Sequence, residues 1–307
     1  MGKRRAGALA VVAMLGSVAL AACGTSGATT APAATTAPAA TATTRSPRAI
    51  TEKDFDPRNF PAAPKVDNRW YPLVPGTQLI MEGRANRGHG RLPHQVVTTV
   101  TDLTKVVNGV RTVVIWDRDI NEGQLEESEL AFQAQDNDGN VWLLGEYPEV
   151  YEDGKLQGAE DTWIAGLQRA RPGVLMRANP RVGTPSYLEG FAPKIEFQDR
   201  AKVSKTGIRN CVPLSCYKDV LLIDEWNPLE AGDAHQLKSY APGVGNIRVG
   251  AVKDPEAEEL VLVKVRHLSG DELAELRSQA LQLDARAYVV RKDLYRHTPP
   301  AQAGQSP

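Results

Sequence analysis

Two long alternating segments, Gln95–Val107 and Val110–Arg118, meet at Asn108-Gly109. An Asn-Gly pair supplies the two left-handed residues of a type I′ turn, whose twist matches that of the strands it joins. The pair therefore commits this stretch to an antiparallel hairpin. A second hairpin is predicted from Gln124–Gln135 to Asn140–Tyr147 across Asp136-Asn137-Asp138-Gly139. In its first arm Leu130, Phe132 and Ala134 alternate with Gln133 and Gln135, the pattern of a half-buried strand. Lys194–Lys205 with Tyr217–Trp226, then His235–Tyr240, Gly245–Val252 and Glu258–His267, continue in the same way. With Thr77–Gly83 and a piece near Tyr187 the reading reaches about eleven strands, too closely spaced for crossover helices.

One helix is legible. Ser269-Gly270-Asp271-Glu272 has the form of a capping box. Leu273, Leu276, Ala280, Leu283, Ala287 and Val290 then recur at helical spacing, which predicts a helix from about 270 to 292 with its apolar stripe on the sheet. The expected fold is mainly β: one antiparallel, strongly curved sheet, half-barrel or barrel, with a C-terminal α-helix on its concave or open side. Residues 48–297 read as a single β-rich domain and 298–307 as a frayed tail.

Ahead of this body the chain changes character. Lys3, Arg4 and Arg5 precede Ala6–Ala22, a stretch with no charge. It is shorter than the roughly 20 apolar residues of a membrane span, and it ends in small residues, as a cleaved signal peptide does. Leu20-Ala21-Ala22-Cys23 resembles the lipobox of bacterial lipoproteins, with Leu three positions before the Cys and small residues between. In that family the Cys thiol receives diacylglycerol and the chain is cut just before it. The resemblance implies that 1–22 is a lipoprotein signal peptide and that Cys23 holds the protein on the extracytoplasmic face of the cell membrane. Two acyl chains anchor a protein stably, where one is marginal.

Residues 24–44 carry no charge and consist of Gly, Ser, Thr, Ala and Pro, with Thr-Thr-Ala-Pro-Ala-Ala in tandem at 29–34 and 35–40. Such a segment buries no core, so 23–47 is expected to be an extended tether reaching roughly 60 Å at ~3 Å per residue. The whole chain has 36 basic and 37 acidic residues, and removal of 1–22 takes three basic ones, leaving 33 − 37 = −4. Neither nucleic acid nor an anionic membrane surface attracts such a body, so no nucleic-acid partner is expected and the lipid must hold it.

The body adds two resemblances. Asp54–Leu73, Ala134–Glu146, Tyr240–Gly245 and the tail after Leu283 resemble an uncharacterised family of secreted actinobacterial proteins, which implies no activity. Tyr240-Ala-Pro-Gly-Val-Gly245 is similar to a segment of envelope lipoproteins of the lipid-carrier type, which implies a curved half-barrel and a hydrophobic ligand.

Chemistry-bearing residues are sparse. Cys211-Val-Pro-Leu-Ser-Cys216 lies at a predicted hairpin tip; with Cys23 carrying lipid, these two form an even pair, and an oxidising compartment favours a structural disulfide. Residues 117–153 hold twelve acidic residues and one base, Arg118. Within them, Asp136, Asp138 and Asn140 begin like a Ca²⁺ loop. Its Gly comes two positions early, however, and Tyr147 stands where the bidentate Glu belongs, so a solvated turn is the plainer reading. No other cofactor is indicated. Asp117, Asp119, Glu126, Glu127, Glu129 and Glu146 could cluster as hydrolytic carboxylates, which would require defined separations and split pKa values. His89, His94, His235, His267 and His297 form no compact ligand motif. Trp70, Trp116, Trp142, Trp163 and Trp226 either pack the core or line a cavity.

Three functions follow as expectations. The first is a non-catalytic, lipid-anchored binding module with a groove for a hydrophobic small molecule. The second is an extracytoplasmic hydrolase using clustered carboxylates. The third is a surface module that binds protein or cell-wall polymer through its acidic face.

Overall fold

The computed structural model describes residues 50–304 apart from 89 and 230–232. The predicted signal peptide, Cys23 and the tether lie outside the described residues, as does His89. Strands β1 (Val66–Asn68) and β2 (Tyr71–Leu73) form a small hairpin of their own. A meander follows: β3 (Thr77–Asn86), β4 (Arg91–Val107), β5 (Val110–Asn121), β6 (Gln124–Gln135) and β7 (Val141–Glu152). Five short strands come next: β8 (Lys155–Gly158), β9 (Trp163–Ile164), β10 (Arg171–Met176), β11 (Tyr187–Leu188) and β12 (Gly190–Phe191). A second meander contains β13 (Arg200–Cys211), β14 (Cys216–Trp226), β15 (His235–Ala241), β16 (Gly245–Val252) and β17 (Glu259–His267). The chain then enters α1 (Gly270–Val290), α2 (Lys292–Tyr295) and β18 (Gln302–Ala303).

The predicted hairpins pair as expected. Asn108 and Gly109 take φ of 48° and 80° and join β4 to β5. Cys211 and Cys216 form a disulfide across the tip of β13 and β14. Ser269 and Glu272 cap α1 reciprocally. The strand count exceeds the expected eleven by β1, β2, β8, β9, β10, β12 and β18; six of these are two to four residues long, too short to show periodicity, and β10 carries Pro172 and Gly173.

Closure decides between half-barrel and barrel. Thirteen antiparallel strands lie in the order β11-β13-β14-β15-β16-β17-β3-β4-β5-β6-β7-β10-β12, with β8 and β9 on β7 and β18 on β4. The two ends of that order, β11 and β12, are consecutive in the chain with Glu189 alone between them. One segment thus touches both edges of the sheet, and the barrel is nearly closed. The crossing is tight at Gly173 in β10, where an added Cβ would lie 2.3 Å from the Glu189 carbonyl carbon and 2.5 Å from the Gly190 nitrogen. Any side chain there would push the seam apart.

Residues on a strand alternate between faces, and the register shows which face each occupies. Trp116 pairs with Leu130, Val114 with Phe132, and Leu130 with Tyr147. These side chains form the outer face, and the core lies between that face and the two helices. Tyr295 of α2 meets Tyr147 at 5.1 Å between rings. Lys105, fully buried, projects from β4 to Asp284 of α1 at 2.8 Å and lies over the Tyr295 ring. Glu149, equally buried, accepts from the Tyr147 hydroxyl, the Tyr151 hydroxyl and both nitrogens of the Arg286 fork. The helix therefore sits outside the barrel, not on its concave or open side as expected, because the continuous apolar face of β4–β7 is the convex one.

The C-terminal segment also departs from expectation. Through Gly304 it is docked rather than frayed. Ala301 is buried and its N–H donates to Asp284 Oδ2 at 2.9 Å. Pro299 O accepts from Lys105, and Gln302 and Ala303 pair with Thr104 and Leu103.

Candidate functional site

With the apolar face turned outward, the other face of the same strands must line the interior. On β5 and β6 that face carries Asp117 opposite Glu129 and Asp119 opposite Glu127. Glu146 joins them from β7, opposite Ala131. Of the six acidic residues expected to cluster, four do so as cross-strand pairs, Glu146 shares their face, and Glu126, skipped at a bulge in the register, lies near Arg87 instead. Directly opposed like charges destabilise a sheet, so this arrangement needs a compensating cation, protonation, or both.

The interior acquires more acid from elsewhere in the chain. Glu189 enters at the seam between β11 and β12, Asp199 just before β13, and Glu225 from β14. The ammonium that answers them is Lys238 of β15, ion-paired with Glu225. Glu127, Glu129, Glu146 and Asp199 are half-buried on this same side of the sheet.

A cavity of about 260 Å³ reaches this cluster at Asp117 and Lys238. Leu79, Met81, Val96, Ile115, Val249 and Leu260 form its apolar wall, and Thr98, Asp117, Gln236, Lys238 and Glu258 supply its polar groups. The rings of Tyr71 and Tyr240, 5.9 Å apart, also line it. A cavity walled by hydrocarbon and edged by a few charges is the common form of a small-molecule site.

Burial raises the carboxyl pKa values, because desolvation penalises the charged form. It pushes Asp117 up to about 6, Asp199 and Glu146 to about 7 and Glu127 to about 8; neighbouring carboxylates add to the rise in Asp199, Glu146 and Glu127. Glu129 and Glu189 stand well above the usual range for the same reasons. Burial opposes the charge on Lys238, but Glu225 and Glu189 outweigh it and hold the ammonium protonated.

At one rim a second cluster is already neutralised. Buried His94 lies between two carboxylates: Nδ1 is 3.2 Å from Asp119 Oδ1 and Nε2 is 3.0 Å from Glu258 Oε1. Among the described residues these three could bring ligand atoms together on one metal ion. The Arg87 guanidinium, however, stands 3.1 Å from Asp119 and 3.3 Å from Glu258, and also pairs with Glu256, while Glu126 lies 3.9 Å away. A resident cation thus already pairs with both carboxylates of the trio. Burial works against His94's charge, but the hydrogen bond to Glu258 and the nearby Asp119 raise its pKa overall.

The residues read as a calcium loop are arranged differently. Asp136 Oδ1 accepts from Asp138 N at 3.0 Å and Asn140 N at 2.8 Å, and Oδ2 accepts from Trp142 Nε1 at 2.8 Å. Asp138 takes Asn59 Nδ2 at 2.8 Å, and Asn140 Oδ1 takes Ala178 N at 3.0 Å. Protein donors thus engage the oxygens of the loop, which ties the β6–β7 turn to the N-terminal segment and to the residues after β10.

Of the tryptophans, Trp116, Trp142 and Trp163 are buried, and none of the five lines the cavity. Trp163 instead donates to Glu146 Oε2 at 2.8 Å. His235 pairs with Asp224 and stacks on Trp226 outside the cavity. Sequence reasoning missed Glu189, Asp199, Glu225 and Lys238. Each is a single polar residue in an ordinary alternating or loop context, and no local signal marks it as interior.

No family model matches the chain, and no curated protein matches it. Among solved structures the chain is similar to a candidate lipoprotein from Parabacteroides distasonis, at 12% identity and a TM-score of 0.36. It is also similar to a candidate exported protein with a YmcC-like fold from Bacteroides fragilis, at 14% identity and a TM-score of 0.33. Each likeness covers 65% of this chain and 99% of the other. Overlaps this loose carry no information about activity.

Proposed function

We propose that this chain is a lipid-anchored envelope protein whose β barrel is a non-catalytic binding module for a small molecule with an apolar body and a polar head. The observation that carries the reading is the cavity of about 260 Å³, with Leu79, Met81 and Leu260 on one side and Asp117 and Lys238 on another. An engineered apolar cavity of about 150 Å³ holds benzene, so this one has room for a ligand of roughly ten heavy atoms. The Leu20-Ala21-Ala22-Cys23 motif and the Cys211–Cys216 disulfide support an oxidising, extracytoplasmic setting.

Two measurements test the reading. Native and denaturing mass spectra of the whole protein, taken from one preparation, should differ by a ligand mass that denaturation removes. Cys23→Ala should move the protein from the membrane to the soluble fraction; a variant that stays with the membrane refutes the lipid anchor.

A second reading, hydrolysis by paired carboxylates, is favoured by the Asp117–Glu129 and Asp119–Glu127 pairs, whose raised pKa values suit a general acid. Turnover of aryl glycosides that disappears in Glu129→Gln would establish it in place of the first.

A further inference from the structure

The ligand's charge can be argued from the imbalance inside the barrel. Asp117, Glu129 and Glu146 lie on one side of the lumen and Glu189, Asp199 and Glu225 on the other, with the Lys238 ammonium among them. Two oxygens are left with nothing to accept from. Glu225 is 8% exposed; one of its oxygens pairs with Lys238, while Oε1 has no hydrogen-bond partner. Asp117 lines the cavity, and its Oδ1, turned away from the open space, is likewise buried and unpartnered. A buried acceptor without a donor is left with the full cost of its desolvation, the more so when charged. Glu225 lies behind the cavity-lining ammonium and Asp117 lines the cavity itself, so a second cation seated at Asp117 could draw its carboxyl round and satisfy an acceptor that the protein leaves without a donor.

We infer that the ligand is an organic ammonium: its apolar body lies against Leu79, Met81 and Leu260, and its charged nitrogen is received by Asp117 and the carboxylates behind it. The inference rests on the binding-module reading and names the class of ligand. It also sets a proton balance. At pH 7 Asp117, pushed up to about 6, is largely ionised, whereas Glu146, Asp199 and Glu127, pushed up to about 7, 7 and 8, still hold protons, so each of these three that ionises in the field of the ammonium releases one proton to solvent. Besides the six carboxyls above, Asp119 of β5, Glu127 of β6 and Glu258 at the rim face the same lumen; Lys238 and Arg87 are its fixed cations, and His94 lies between Asp119 and Glu258.

The test uses the whole chain carrying Cys23→Ser, which keeps it out of the membrane, and three probes of one shape: 2-phenylethylamine, 2-phenylethanol and 3-phenylpropanoate. Calorimetric titrations run at pH 7 in phosphate and in Tris, whose ionisation heats differ. The amine should bind at least tenfold tighter than the alcohol. Its heat should differ between buffers by an amount showing net proton release, and the heat for the alcohol should not. Asp117→Asn and Glu225→Gln should each erase most of the preference for the amine while leaving affinity for the alcohol within about twofold. Equal binding of amine and alcohol, or tighter binding of the propanoate, overturns the cationic ligand and leaves the cavity reading standing. Binding of none of the three, with no mass lost between native and denaturing spectra, overturns both. If one variant melts early, the other and the two-buffer comparison on the unsubstituted site still decide.

Discussion

Gly173 is the residue on which closure turns. Its Cα faces the Glu189–Gly190 peptide at a distance no Cβ allows, so Gly173→Ala forces either a strand shift or an open seam. Overpacking of this kind costs typically about 1–3 kcal/mol. The expected result is a lower urea midpoint with unchanged slope, and weaker binding of any cavity ligand. Glu146 is a contrasting case. Trp163 donates to it, but burial and its neighbours disfavour its charge. Glu146→Gln keeps an acceptor for the indole and removes the charge, so it should raise stability at pH 8 more than at pH 5; denaturation at the two pH values measures the difference.

At the scale of elements, α1 is held to the barrel by two polar anchors within an apolar contact. Lys105 to Asp284 is fully buried, and Arg286 to Glu149 buries the carboxylate completely. Removing one partner of a buried pair leaves an uncompensated charge and costs about 3–5 kcal/mol, whereas replacing both with apolar groups is often neutral. Asp284→Leu should therefore lower the unfolding free energy by several kcal/mol and loosen the C-terminal segment, whose Ala301 N–H loses its acceptor. The double variant Lys105→Met/Asp284→Leu should recover most of that loss, and a thermodynamic cycle from denaturant melts would show it. The hairpin tip behaves otherwise: the Cys211–Cys216 loop is short and both cysteines are exposed. In the chain-entropy model reduction should cost about 2 kcal/mol and leave the barrel folded, which far-ultraviolet circular dichroism with reductant can check.

The molecule as a whole has an inverted pH signature. Carboxyls usually ionise more easily in the folded state, so that stability grows above pH 4. Here Asp117, Glu146, Asp199 and Glu127 titrate at about 6, 7, 7 and 8 when folded. Between pH 4 and 8 the folded protein thus binds more protons than the unfolded chain, and stability falls as pH rises. His94 acts in the same direction: its raised pKa contributes stability that is complete below its unfolded pKa and is lost as pH climbs through the folded one. Glu258, lowered overall, opposes this only in acid, where its protonation removes stability. The urea midpoint should therefore peak near pH 5 and decline toward pH 8. A saturating amine should flatten the decline by supplying the missing positive charge.

Much of this was legible in the chain. Asn108-Gly109, the alternation of Gln124–Gln135 and the capping box at Ser269 are local devices, and each formed where its chemistry requires. The acidic character of 117–153 was plain too, as was the cysteine pair at 211 and 216. Alternation, however, divides a strand into two faces without saying which one turns inward. Asp117 and Glu129 on one face, Trp116 and Leu130 on the other, are compatible with an apolar lumen and a solvated outside. The opposite holds here, because α1 and α2 cover the apolar face from outside and because a single residue, Glu189, bridges the two edges of the sheet. Pairings such as β11 with β13 and β10 with β12 are two residues long and bring distant segments together, so no window of sequence contains them. Sequence alone determined the strands, their turns and their two faces. Tertiary closure decided that these carboxylates and one ammonium share an interior, because only the nearly closed barrel brings Glu189, Asp199, Glu225 and Lys238 to face Asp117, Glu127, Glu129 and Glu146.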